Sequence, residues 1–124
     1  MEKFQRGDIL RISLKEQGGS VQSGIRPCIV VSNDIGNRCS TILLVVPLTS
    51  KMTKKPLPTH VMIAPSNRTG LGRSSIALCE QVTVVPQERV ISKYGSLTLQ
   101  QQEDVNQSLQ VAMALPASTK GGEK

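Results

Sequence analysis

Two side chains at the borders of apolar segments are suited to holding a phosphate group. Arg26 directly precedes Pro27 at the start of one apolar run, and Thr49 ends the next run along the chain. A residue before proline is held in extended geometry, so the arginine should project in a fixed direction. A guanidinium binds two phosphate oxygens and a hydroxyl donates a third hydrogen bond. If the two runs form neighbouring strands, these two side chains converge on one rim.

The segment that follows Thr49 adds hydroxyl and ammonium groups. Ser50 comes first, and Lys51, Lys54 and Lys55 follow within a basic, proline-marked loop, residues 50–58. We expect this loop to hold the flanking phosphates of a nucleic acid, in binding that weakens as salt rises. Two alternatives stay open: a surface arginine paired with an acid, and a solvated lysine loop without a partner.

The overall charge favours a polyanionic partner. The 124 residues include 15 Lys and Arg against nine Asp and Glu, a net charge of +6. Such a balance attracts nucleic acid, an acidic protein segment or an anionic membrane surface. Phe4 and Tyr94 are the only aromatic residues, so the chain lacks the row of stacking platforms that single-strand binders use. Base recognition must then use hydroxyls, amides and main-chain groups.

Several kinds of site are not indicated by the sequence. It contains no phosphate-binding glycine motif of the P-loop type and no zinc-like cluster, so we expect no metal and no cofactor. His60 is the only histidine, and a structural, hydrogen-bonded role is favoured over a catalytic one. Cys28, Cys39 and Cys79 fit core or surface thiols in a reducing compartment. Without a signal peptide or an apolar run of membrane-spanning length, a cytoplasmic protein is expected.

Apolar patterning predicts about five strands. Alternation over 7–14 is typical of a half-buried strand, and the nearly continuous apolar run 41–49 is typical of a strand covered on both faces. The other predicted strands are 26–33, 59–63 and 75–85. Pro86 and Gly95 frame a predicted short helix or turn over 86–95.

The last predicted element is an amphipathic helix. Thr98 and Gln101 form a capping-box pattern, and apolar residues recur behind them at helical spacing. This apolar face consists of Val105, Leu109, Ala112 and Met113. We predict one domain over residues 1–115 and a disordered tail over 116–124. The fold class is therefore mainly β: a small, mostly antiparallel β-barrel of about five or more strands with a C-terminal helix.

Six co-linear blocks resemble the MazF/PemK family of bacterial toxins. They span about residues 5 to 115 and read "RGDIL", "GIRPCIVVSNDIGNRCS", "PLTSK", "LPTHVMI", "CEQVTVV" and "LQVAMAL". The resemblance implies an SH3-like barrel and a homodimer. It also implies an endoribonuclease that cuts single-stranded RNA at a short sequence, without metal, to a 2′,3′-cyclic phosphate and a 5′-hydroxyl. An antitoxin with an acidic C-terminal segment would fill the RNA groove and neutralise it.

The same resemblance implies roles for individual residues. Arg26 and Thr49 correspond to the family's catalytic pair. Many relatives carry an acidic residue just upstream of this arginine, where the present chain has Val21, so the identity of the general base stays open. The remaining RNA contacts that the resemblance implies are Ser20, Gln22, Gln81 and, as a further candidate, Asn33.

RNA cleavage by attack of the 2′-hydroxyl needs a base, stabilisation of charge and help for the leaving 5′-oxygen. Arg26 stays charged at all relevant pH, which suits charge stabilisation and proton relay better than proton abstraction. Thr49 would orient the phosphate. Two other functions remain open: a basic barrel that binds nucleic acid without cutting it, and a toxin of related fold that inhibits DNA gyrase through protein contacts.

Overall fold

The computed structural model describes residues 3–52, 55 and 57–116. Lys54 and most of the predicted tail, residues 117–124, lie outside this range. The described elements, in chain order, are β1 (Asp8–Leu14), β2 (Gly24–Val30), α1 (Asp34–Cys39), β3 (Ile42–Thr49), β4 (His60–Ile63), β5 (Ser75–Leu78), β6 (Thr83–Pro86), β7 (Val90–Ser96) and α2 (Leu99–Ala112). The mainly β class with a C-terminal helix is therefore confirmed.

The strands form one antiparallel sheet with β3 near its centre. The order is β4-β5-β3-β2-β1-β7, and β6 also pairs with β3. One edge of β3 pairs with β2, while its other edge pairs with β6 along the first half and with β5 along the second. Among the described residues no pairing joins β4 to β7. The sheet is thus an open version of the expected barrel.

Both faces of the sheet carry apolar clusters, because successive strand residues point to opposite sides. On β1, Ile9 belongs to the cluster that α2 covers, while Leu10 and Ile12 belong to a second cluster around Phe4. Coverage of β3 is less complete than the apolar run predicts. Its buried residues are Leu43 and the run from Val45 to Leu48, whereas Ile42 and Leu44 are exposed.

The predicted strand over 75–85 is wrong in its middle. Leu48 pairs with Ala77 and Val45 pairs with Thr83, so three steps along β3 correspond to six steps along the partner chain. The extra residues form a short 3-10 turn, Cys79–Gln81. Insertions of this kind redirect side chains out of a sheet.

The prediction for 86–95 also changes. Residues 90–96 form β7 rather than a helix, because their backbone pairs with the edge of β1 that does not pair with β2. Only Gln87–Arg89 make a 3-10 turn. The segment between β2 and β3 contains α1, whose first turn is capped by the Asn33 side chain.

The C-terminal helix begins as predicted. The Thr98 hydroxyl accepts a hydrogen bond from the Gln101 backbone N–H, and the Gln101 side chain accepts one from the Thr98 N–H. Val105 and Leu109 are buried, whereas Met113 is exposed at the helix end. Within the described ranges, no helix combines the length and the apolar character needed to cross a membrane.

The three cysteines are free thiols in two different environments. Cys28 and Cys79 are buried, and Cys39 is exposed at the end of α1. Burial raises the pKa of both Cys28 and Cys79 to about 12. Because the thiolate is the reactive form, the two buried cysteines should be inert in the folded protein.

We expect one fast-reacting thiol in the native protein. Titration with a thiol-specific disulfide reagent should modify Cys39 alone, and all three cysteines after denaturation. In Cys39→Ser the fast phase should disappear. A second fast thiol in the native protein would show that the core around Cys28 or Cys79 opens readily.

Candidate active site

Pairing of β2 with β3 brings the two predicted catalytic side chains together. In this register Cys28 lies opposite Pro47 and Ile29 opposite Val46. Beyond Cys28, Arg26 lies beside the end of β3, where its Nη1 reaches the carbonyl of Leu48, the residue before Thr49. Arg26 and Thr49 both line one cleft of about 620 Å³, which we call the arginine cleft. The convergence that neighbouring strands would produce is therefore present.

Hydrogen bonds to two backbone carbonyls hold Arg26 in place. Its Nε donates to the Ser23 carbonyl at 3.0 Å, and its Nη1 donates to the Leu48 carbonyl at 3.3 Å. A guanidinium carries five N–H groups, so three remain available to a ligand. Within the part of the chain that the structure describes, no carboxylate pairs with Arg26. This observation argues against a surface arginine paired with an acid.

The Thr49 hydroxyl also keeps a free donor. Its Oγ1 accepts a hydrogen bond from the Lys51 backbone N–H at 3.1 Å. A hydroxyl that accepts one bond can still donate its own hydrogen, here to a group in the arginine cleft. Ser50 and Lys51 line the same cleft and are exposed.

Positive charge accumulates in the arginine cleft. Arg26, Lys51 and Arg73 line it, and none of its described lining residues is Asp or Glu. A cleft lined by one sign of charge concentrates its potential and attracts the opposite charge. Sequence reasoning missed Arg73, which lies in the loop between β4 and β5. Lys55 is exposed and is not among the described lining residues.

The 3-10 turn after β5 directs Gln81 toward the β1–β2 loop. Its Oε1 accepts a hydrogen bond from the Gln22 N–H at 2.8 Å, and its Nε2 donates to the Ser20 carbonyl at 3.1 Å. Gln81 also lines a pocket of about 370 Å³, which we call the glutamine pocket, together with Gln22, Thr49 and Lys51. The two pockets are adjacent because they share these last three residues. Ser20, Gln22 and Gln81 therefore lie together beside Thr49.

His60 is hydrogen-bonded through one ring nitrogen, as expected for a structural histidine. Its Nε2 lies 3.1 Å from the Glu80 Oε2, and its side chain is nearly buried. Partial burial acts to raise the pKa of Glu80. Hydrogen bonds from its own backbone N–H, His60 and Thr59 outweigh this effect and hold the Glu80 pKa below its ordinary value. The pair borders the glutamine pocket.

Asn33 lies apart from these residues. Its Oδ1 accepts a hydrogen bond from the Gly36 backbone N–H at 2.7 Å and caps α1. It lines neither the arginine cleft nor the glutamine pocket. This capping role accounts for an asparagine at position 33, since Asn is a preferred N-cap residue of helices. An RNA contact by Asn33 stays a prediction.

Comparison with known proteins decides the family. Residues 5–113 match the family model described as PemK-like, MazF-like toxin of type II toxin–antitoxin system. The chain belongs to this family. The resemblance carried by the six sequence blocks is thereby confirmed.

Two named relatives and one solved structure illustrate the similarity. Endoribonuclease EndoA of Bacillus subtilis (strain 168) is 38% identical over 111 residues, which are 90% of this chain and 95% of EndoA. Endoribonuclease MazF of Staphylococcus saprophyticus is 32% identical over 112 residues, 90% of this chain and 92% of that protein. A mycobacterial endoribonuclease solved in complex with its cognate antitoxin matches with a TM-score of 0.74 at 24% identity. That match covers 92% of this chain and 98% of the mycobacterial chain, and it shows a shared fold.

Proposed function

We propose that this protein is a toxin endoribonuclease that cuts single-stranded RNA in the arginine cleft, at a short sequence and without a metal ion. The observation that carries the proposal is that Arg26 and Thr49 line one cleft, which contains cations and no described carboxylate. Endoribonuclease relatives at 38% and 32% identity cover nine tenths of the chain, in support of the same activity.

In the proposed reaction the scissile phosphate lies between Arg26 and Thr49. The 2′-oxygen of the preceding ribose attacks phosphorus as the bond to the 5′-oxygen breaks, and the proton lost from the 2′-hydroxyl is balanced by one gained at the 5′-oxygen. The products are a 2′,3′-cyclic phosphate and a 5′-hydroxyl. The three available Arg26 N–H groups stabilise the charge that develops on the phosphate, and the Thr49 hydroxyl donates to a non-bridging oxygen.

Specificity and affinity come from different parts of the surface. The amides of Gln22 and Gln81 and the hydroxyls beside them are suited to reading base edges, because each offers directional donors and acceptors. The lysines after β3 bind backbone phosphates without regard to sequence. The base-reading side chains are Ser20, Gln22, Ser50 and Gln81, with Asn33 at the start of α1. The phosphate-binding lysines are Lys51, Lys54 and Lys55.

A cognate antitoxin with an acidic C-terminal segment blocks the arginine cleft. Its carboxylates replace RNA phosphates as partners of Arg26, Lys51 and Arg73, which supply fixed positive charge. The mycobacterial relative in complex with its antitoxin supports this type of partner. Free cysteines in the described chain fit a reducing cytoplasm.

The protein acts as a homodimer through the surface that β4 and the end of α2 share. Met62 and Val111 are 59% and 54% exposed and line one cleft between these elements. β4 is the last strand of the described sheet order, so its outer edge is available to a second copy. Exposed apolar side chains gathered at a sheet edge are typical of an association surface.

Incubating the purified protein with a long single-stranded RNA in EDTA should give fragments with 5′-hydroxyl ends at a recurring sequence. Arg26→Ala and Thr49→Ala should each lose about 100- to 1000-fold in cleavage rate, since each removes a donor to the transition state. Circular dichroism should show that both variants are folded. Arg38→Ala, an exposed arginine on α1, is the control and should cut normally.

Near-wild-type cutting by Arg26→Ala would reject the catalytic assignment. Binding of RNA by the wild-type protein without any scission would instead identify a nucleic-acid-binding module. Inhibition of gyrase without action on RNA would identify a toxin that acts by protein contacts.

Neutralising Lys51 should weaken binding of a single-stranded oligonucleotide uniformly across sequences. Removing one cation that neutralises a phosphate of a single strand lowers the slope of log affinity against log salt by about 0.7. Fluorescence anisotropy at several salt concentrations measures this slope for Lys51→Gln. Lys3→Gln makes the same charge change beside α1 and should leave the slope unaltered. Equal slopes for both variants would place the RNA path elsewhere.

Light scattering coupled to gel filtration should give twice the chain mass for the wild-type protein. Met62→Lys should yield monomers, because it places a charge in the proposed interface at the β4 edge. Leu44→Lys makes the same type of change on the exposed face of β3 and should stay dimeric. The reverse pattern would move the interface to the surface of β3 and β6.

A further inference from the structure

One wall of the arginine cleft takes no part in the cleavage step described above. It consists of Leu71, Gly72 and Arg73 from the loop between β4 and β5, together with Tyr94 from β7. We call it the tyrosine wall. Arg73 and Tyr94 are both exposed, so each can contact a ligand in the cleft.

Backbone packing fixes the position of the tyrosine wall. A Cβ at Gly70 would overlap the carbonyl of Tyr94, and a Cβ at Gly95 would overlap the carbonyl of Arg68. Gly70 also has a φ of +74°, which favours glycine. The Ser96 N–H donates to the Arg68 carbonyl at 3.0 Å. Residues 68–70 of the loop are therefore held against residues 94–96 at the end of β7, close in sequence to Arg73 and next to Tyr94.

Tyr94 is in an unusual position for this chain. Only two of the 124 residues are aromatic, and Phe4 is buried in a core cluster. Tyr94, in contrast, is 37% exposed and lines the cleft that holds Arg26 and Thr49. An aromatic ring beside a phosphate site is suited to stacking on a nucleobase, an interaction that tolerates any base because every base has a π face.

Arg73 complements the ring with charge. It forms no ion pair with any described acid, and its planar guanidinium is suited to binding a second phosphate group. A base and a phosphate held on the same wall correspond to one nucleotide unit of a single strand.

We propose that the tyrosine wall binds a nucleotide adjacent to the scissile phosphate, with Tyr94 stacking on its base and Arg73 binding its phosphate. This proposal rests on the proposed function, in which single-stranded RNA occupies the arginine cleft. Because stacking and phosphate contacts are nearly independent of sequence, the wall adds affinity and positions the strand, and it leaves the choice of cut sequence to the glutamine pocket.

Kinetics of two Tyr94 variants test the stacking contact. Tyr94→Leu removes the ring and should raise KM about five- to 100-fold, with a much smaller change in kcat and with the same cut sequence. Tyr94→Phe keeps the ring and should behave as the wild type. Thermal unfolding establishes that both variants are folded. An unchanged KM for Tyr94→Leu, or an equal loss in Tyr94→Phe, would overturn the stacking role.

Tyrosine fluorescence provides a direct readout. The chain has one tyrosine and no tryptophan, so its intrinsic emission reports on Tyr94 alone. The probe is an oligoribonucleotide that spans the mapped cut site and carries a 2′-deoxy sugar in place of the attacking hydroxyl. Emission should fall saturably in step with binding measured by anisotropy, while free N-acetyltyrosinamide corrects for absorption by the RNA. Saturating binding without a change in corrected emission would overturn the proposal.

The charge contact has its own matched test. Arg73→Gln should lower the salt slope of oligonucleotide binding by about 0.7, the value for one phosphate on a single strand. Arg38→Gln removes the same charge outside the arginine cleft and should not change the slope.

Failure of the wild-type protein to cut RNA would reject the proposed function. Normal cutting and binding by Arg73→Gln and Tyr94→Leu would reject only the role of the tyrosine wall.

Discussion

The antiparallel pairing of β2 with β3 is the constraint on which the site depends. Because the register is set by Cys28 opposite Pro47 and Ile29 opposite Val46, Arg26 and Thr49 end on the same rim. A slip of one residue would turn every side chain of one strand to the other face. Cys28 and Ile29 are buried in clusters on opposite faces, so such a slip would exchange side chains of different volume between two packed cores, which is costly. The core therefore positions the candidate catalytic pair.

The arginine cleft contains cationic side chains, and none of its described lining residues is a carboxylate that could neutralise them. Arg26 is held by two backbone carbonyls rather than by a carboxylate, so its charge is oriented without being cancelled. Like charges gathered in one cleft repel each other, and this arrangement is useful only if an anion relieves the repulsion. RNA phosphates and the carboxylates of an acidic antitoxin segment would both meet this requirement, so the proposed substrate and the proposed inhibitor can share one surface.

Local sequence signals predicted the regular elements well where neighbouring residues decide the structure. The capping box of Thr98 and Gln101 depends on residues three positions apart, and it is present as predicted. The predictions for residues 79–81 and 90–96 are wrong because the conformation of both segments depends on distant partners. The first segment accommodates the change of register along β3, and the second pairs with the free edge of β1.

The sequence by itself determined the family, the apolar strands and the residue types of the candidate pair, because these are encoded in contiguous motifs. Only the tertiary structure decided that Arg73 and Tyr94 share the arginine cleft and that Gln81 contacts the β1–β2 loop. Those residues are far apart along the chain and lack a common motif. Their proximity results from strand pairing and from the close backbone contact at Gly70 and Gly95, which depend on the packing of the whole sheet.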